Sequence, residues 1–290
     1  METRKLQVVG SRSFSLSLPK QWVTDNKLKN HDAIYIQRTP NNELVLSSQK
    51  QTSSSETITR SADGICGEFL VFCYTKNKDK VIFKANPLSY AHKRDIRQVL
   101  EYLEGYEITS ETDAQIEVSF VFKEMQVLTP VIVKRMLYLI KLQSQALISN
   151  DEKTLMDAEM SLNRLFYLGT RVLFRCMTDA KARSENEITS EEEIFFQQQL
   201  LKRLEHIGDR ILRCTEVKPA DRKQMIPLLA FVESVLLQKL SAIPDLKKSY
   251  DALKITAKDP TGNFHLHKLL DLCKDIFDVK LSIYLNSVVG

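Results

Sequence analysis

The residues best placed to do chemistry in this chain are two acids, Glu205 and Asp209, in the string Leu204-Glu205-His206-Ile207-Gly208-Asp209-Arg210. Four apart on a helix, they project from one face a turn apart, and two like charges so placed repel by roughly 0.2–0.5 kcal/mol unless a cation lies between them. A divalent metal would be such a cation, with magnesium, manganese, iron and zinc as the candidates. The other reading is a pair of surface acids, partnered by Lys202 three residues before Glu205 and by Arg213 four residues after Asp209. His265 and His267 are two apart and face different ways on a helix, so they read as separate side chains, as do His92 and His206. No Ser nucleophile elbow, phosphate-binding P-loop or Gly-x-Gly-x-x-Gly turn occurs, and no nucleophile or base stands beside the two acids. The expectation is a protein that is not an enzyme.

A second chemical signal is charge. Residues 1–50 hold eight basic residues against four acidic ones, while the whole chain of 290 residues holds 41 against 37, so the entire excess of +4 sits at the N-terminal end. That is the footprint of a module that touches phosphate.

The elements that must carry these groups fall into three blocks. From Arg4 to Ser48, Leu6 and Val8, then Phe14, Leu16 and Leu18, then Ile34 and Ile36, then Leu44 and Leu46 alternate with polar residues at the period of a strand. The stretch reads as strand, turn, strand, short helix and two more strands, with Pro40-Asn41-Asn42 as a turn. About 45 residues in short strands cannot bury a core alone, and this stretch has no cysteine to staple it, so a second copy of the chain is expected to close a shared barrel. Gln49–Thr57 is polar and Ser-rich and reads as a linker. Residues 58–122 read as α+β, with strands at Glu68–Tyr74, Lys80–Ala85, Tyr106–Ile108 and Ala114–Val121 and a helix from Pro87 to Leu103. From Gln126 onward the pattern is helical, near 128–149, 151–181, 188–214, 220–242, 245–257 and 263–288. The broad apolar stripes on these helices, such as Leu200, Leu201, Leu204, Ile207 and Ile211, mean a bundle core, and three helices followed by three suggest an internal duplication.

These strings resemble a known family. The wording Val-x-Gly-Ser-Arg-Ser-Phe-Ser-Leu-Ser-Leu-Pro-Lys-x-Trp-Val, followed by Leu-x-x-His-Asp-x-Ile-x-Ile and Glu-Leu-x-Leu, resembles the AbrB-type swapped-hairpin DNA-binding domain. It is similar to the version that archaeal phosphate uptake regulators fuse to a PhoU-like helical domain, whose middle segment the stretch Tyr102–Ile108 also resembles. His31-Asp32 stands where that family has Gly-Asp. The resemblance implies a PhoU-type metal signature, Glu-x-x-x-Asp on two equivalent helices, with Glu205 and Asp209 as one copy and Glu159 and Asn163 as the other. Asn163 replaces an Asp there, so its carbonyl can ligate but brings no charge.

The expected architecture is therefore multidomain. An all-β swapped-hairpin barrel, dimeric, spans 1–48, a linker 49–57 and a small α+β connector 58–122, and an all-α PhoU-like bundle of two three-helix units spans 124–290. The expected role is a DNA-binding regulator of phosphate uptake, acting as a homodimer that lays Arg4, Lys5, Arg12 and Lys20 on promoter DNA. The alternative is an adaptor in which the barrel only dimerises and the bundle docks onto a phosphate transporter or signalling protein. The five cysteines include no Cys-x-x-Cys pair and read as buried small hydrophobes of a reducing cytoplasm. No secretory signal or membrane-inserted segment is expected.

Overall fold

Alternating short runs at the N-terminus form hairpins, and long apolar stripes further on form packed helices. The structure is a computed structural model that describes residues 3–10, 13–38, 44–48, 57–62, 64–122, 127–238, 242–256 and 264–289. Close contacts divide the chain into two compact units, 1–54 and 55–290.

In the first unit, β1 (Gln7–Val9) pairs antiparallel with β2 (Ser13–Ser15), with Val8 opposite Phe14. Gly10, at the start of the turn between them, has a φ of +69°, which favours glycine. Pro19 then leads into α1 (Lys20–Asp25). β3 (Tyr35–Arg38) pairs antiparallel with β4 (Leu44–Ser47), Ile36 opposite Leu46. These are two separate two-stranded sheets, and the described residues of one chain form no closed barrel. The expected turn at Pro40-Asn41-Asn42 and residues 49–56 of the expected linker lie outside the described residues. No described residue of this unit is buried. Leu6, Val8, Phe14, Ile36 and Leu44 are each more than 60% exposed.

The second unit opens on a sheet. β5 (Thr57–Ser61) runs parallel to β6 (Lys80–Lys84), and α2 (Cys66–Thr75) crosses between them. Parallel neighbours need such a crossover. The sequence reading of Glu68–Tyr74 as a strand is thus corrected to a helix. A continuous apolar run does not distinguish the two, but Leu70, Cys73 and Tyr74, at helical spacing, are the side chains it buries. Thr57 likewise belongs to β5 and not to the linker. Ser89 caps α3 (Tyr90–Leu100) by accepting a hydrogen bond from the His92 N–H. β7 (Tyr106–Glu111) and β8 (Gln115–Phe120) complete the sheet in the order β5-β6-β8-β7. Its core gathers Leu70, Tyr74, Phe83, Ile96, Ile116 and Val118.

The helical part follows as α4 (Thr129–Ser149), α5 (Glu152–Thr178), α6 (Ala180–Glu185), α7 (Glu191–Arg213), α8 (Met225–Leu237), α9 (Ile243–Thr256) and α10 (Phe264–Val289). The single helix expected over 151–181 is two, because Asp179 leaves helical geometry and caps α6 through its carboxylate. α4, α5 and α7 pack mutually, as do α8, α9 and α10, and α7 packs on α10. Phe231, Tyr250 and Phe277 join the second trio through ring contacts of 5.7–6.3 Å. No described helix is long and apolar enough to cross a membrane.

One side chain ties the α+β part to the helices. Arg171 of α5 is 1% exposed, and it donates to the carbonyls of Tyr74 and Lys78 at 2.9 and 3.0 Å and to Asp79 Oδ1 at 2.9 Å. Its guanidinium also lies 4.1 Å from the Phe120 ring centre, 5.0 Å from that of Tyr74 and 5.6 Å from that of Tyr106. Arg164, two turns earlier, donates to the Glu101 carbonyl at 2.5 Å. Removing the guanidinium takes one donor from each of two inward carbonyls, which keep the Asn77 N–H and the Tyr106 hydroxyl, and the ion partner from the half-exposed Asp79. Arg171→Met should therefore lower the unfolding free energy by about 1–3 kcal/mol, read from urea titrations. Asp79→Asn keeps an acceptor but leaves the buried guanidinium without its counter-charge, and should cost about 3–5 kcal/mol.

Candidate functional site

Glu159 sits on the face of α5 that turns inward. It is 7% exposed, while the neighbouring apolar residues Leu155, Ala158 and Leu162 seal it from solvent. A carboxylate so placed needs partners, and two elements supply them. From α4, Gln143 Nε2 donates to Glu159 Oε2 at 2.6 Å. From its own helix, Asn163 Nδ2 donates to Glu159 Oε1 at 3.1 Å. From α7, the Asp209 carboxylate adds its charge nearby.

Gly208 makes this approach of helices possible. A Cβ at that position would meet Leu162 Cδ2 at 2.1 Å, Gln143 Oε1 at 3.1 Å and Glu159 Oε2 at 3.3 Å. The Gly beside the acid in the Glu205–Asp209 string thus serves helix packing.

Burial raises the Glu159 pKa above its ordinary value of 4.5, and the neighbouring Asp209 carboxylate raises it further, against the pull of the two amide donors. Tyr167, two turns on, is raised as well, first by burial and then by the acids Glu205 and Asp209. Burial and the neighbouring acid thus favour the protonated form of Glu159, unless a cation neutralises it.

The structure brings Glu159 and Asn163 into contact with Asp209 nearby, and gives Glu205 partners of its own. Glu205 pairs with Lys202 at 3.2 Å, the partner expected of a surface acid, and has His206 at 3.6 Å. Among the described residues, no group of three or more His, Cys, Asp or Glu side chains is gathered as metal ligands. A hard cation here would draw on Glu159 and Asp209 and on carboxamide oxygens. One such oxygen is present, since Gln143 Oε1 is buried and accepts no hydrogen bond. An all-oxygen set of that size suits magnesium or manganese, which keep several waters.

Gln143 was not singled out from the sequence. Its signal is a polar residue on the stripe Leu139, Ile140, Ser144, Leu147, where an apolar side chain belongs. Asp209 also lines a groove of about 400 Å³ between α7 and α10, where Asp271 and Asp275 alternate with Arg210, Arg213 and Lys268. His265 is hydrogen-bonded to Glu216 at 3.1 Å and lies 3.4 Å from Arg210. All five cysteines are free and buried. Burial pushes the thiols of Cys73, Cys176 and Cys214 up to about 11, which leaves them protonated and unreactive.

Of the expected DNA-contacting residues, Arg4, Lys5 and Lys20 are exposed on the first unit, and Arg12 lies outside the described residues. Comparison with known protein families, curated proteins and solved structures found no match to this chain.

The carboxyl pair has a pH signature. The folded state holds the Glu159 proton more tightly than the unfolded state does, so stability falls as pH rises from 4.5 through the raised value. Glu159→Gln removes the ionisable group and offers the orphan Gln143 oxygen a donor. The variant should be more stable than the parent at pH 8, with the gap narrowing toward pH 4.5. Thermal unfolding across that range in a metal-free buffer measures it.

Proposed function

We propose that this protein is a homodimeric DNA-binding regulator of phosphate uptake, with a helical sensor part. The observation that carries the reading is the first unit. It exposes Leu6, Val8, Phe14, Ile36 and Leu44, buries no described side chain, and holds all of the chain's excess positive charge within its first fifty residues. Two hairpins with bare apolar faces and open edges are half of a structure. A second copy interleaving its hairpins would complete a barrel, in keeping with the resemblance to the swapped-hairpin domain. The dimer would then carry Arg4, Lys5, Arg12 and Lys20 twice, a set suited to phosphates on a duplex.

The helical part supplies the response. Glu159 and Asp209, with the Asn163 and Gln143 carboxamides, would hold a divalent cation such as magnesium or manganese. Such an ion would take the place of the Glu159 proton and draw α4, α5 and α7 together. The phosphate role rests on the resemblance of the N-terminal and middle strings to the archaeal fusion regulators.

Fluorescence anisotropy on promoter and random duplexes tests the DNA function. Eight cations per dimer should make affinity fall at least about a hundredfold between 50 and 200 mM salt. The double variant Arg12→Ala/Lys20→Ala should bind more weakly with a shallower salt slope and an unchanged dimer. Absence of binding at 50 mM salt would reject DNA as the partner and favour the adaptor that docks onto a transporter or signalling protein.

A further inference from the structure

A second cavity lies further along α5, toward its C-terminal end and beyond the carboxyl pair. It is a cleft of about 360 Å³ where the end of α2 meets α5 and the start of α7. Leu173, Phe174 and Met177 of α5 and Ile194 and Phe195 of α7 make its floor and sides. Leu173 and Ile194 are buried, but Met177 is 53% and Phe195 59% exposed. Large side chains left open to water around a concavity of this size describe a ligand cleft, and the volume is at the small end of the range such sites span.

The polar groups are few and specific. Lys76, at the end of α2, places its ammonium 4.5 Å from the Phe174 ring centre and 5.9 Å from that of Phe72. Among the described residues it makes no ion pair with a carboxylate. Glu191, the one acid in the lining, is directed to Arg183 at 4.0 Å. Gln198 donates its amide to Thr170 Oγ1 at 3.1 Å, and Thr170 in turn donates to the Phe166 carbonyl at 2.9 Å. The cleft therefore offers an apolar trough with one uncommitted cation held over it by aromatic rings.

We propose that this cleft binds a small amphipathic carboxylate, its hydrocarbon part in the trough and its carboxylate on Lys76 Nζ. The charge selects the head group, because an apolar ligand with a cationic end would face Lys76 unpaired. The apolar lining selects the body, because a purely polar anion would leave Phe174, Met177 and Phe195 wet. A ligand held there touches α2, α5 and α7 at once, on the seam that Arg171 holds from within. The inference is independent of the DNA reading.

Isothermal titration of the full-length protein with decanoate, and separately with decanol, tests it. One decanoate should bind per chain. Lys76→Gln should weaken decanoate about fivefold, the worth of an exposed ion pair, and leave decanol unchanged. Phe195→Glu, at an exposed position that spares the core, should abolish both. No decanoate binding, or equal loss of decanoate and decanol in Lys76→Gln, overturns the assignment. A change of assembly size in Phe195→Glu with no decanoate binding gives the cleft to a second copy of the chain and overturns it equally.

Discussion

A single buried guanidinium makes one unit out of two cores. The sheet core around Phe83, Ile116 and Val118 and the helical core around Leu162, Leu201 and Ile207 are separate clusters. Arg171 crosses between them. It satisfies the carbonyls that end α2, pairs with Asp79 at the start of β6 and spreads its charge over three aromatic rings. Burying a cation is costly unless it is paired and fully hydrogen-bonded. The bonds of its two terminal nitrogens meet most of that condition, with Nε left unpartnered, and they fix how the sheet seats on α5. The same seating places the end of α2 beside α5 at the apolar cleft, while Glu159, further back along α5, faces α4 and α7.

The polar cluster around Glu159 follows a related constraint from the other sign of charge. An acid at 7% exposure among leucines must be neutralised, and Gly208 brings Asp209 close enough to make that need sharper. The proposed cation would supply that neutralisation. The first unit answers a different constraint. Its strands are too short and too few to cover themselves, so the apolar faces that alternate along them remain bare in a single chain. The proposal of a paired barrel grows from that deficit, and the proposed nucleic-acid role rests on the basic excess of the same residues.

Much of this was legible in the residues. The long stripes placed α4, α7, α9 and α10 within a few positions, because periodicity over many turns is a strong signal. The two N-terminal hairpins and the helix between them were read from alternation and from Leu18-Pro19-Lys20. The error at Glu68–Tyr74 has a physical cause. An apolar run of strand length is compatible with a buried helix, and only the parallel pairing of β5 with β6 demanded a crossover there. The break at Asp179 was hidden because helical spacing continues across it. At the candidate site, Glu159, Asn163 and Asp209 were named from the sequence, yet Gln143 and Arg171 were passed over. Both are polar residues sitting on apolar stripes, and what they partner lies on distant segments that local spacing does not reveal. Glu205 was paired on paper with Asp209 by the i, i+4 rule, whereas Lys202, three residues away, holds it.

The most direct test of the central claim is the mass of the full-length protein in solution, by sedimentation equilibrium at micromolar concentration. The account predicts a species of twice the 33.4 kDa chain that dissociates when the bare strand faces are charged by Val8→Asp and Ile36→Asp, with the helical content of the second unit retained. A monomer in the parent protein, or a dimer indifferent to both substitutions, would contradict it.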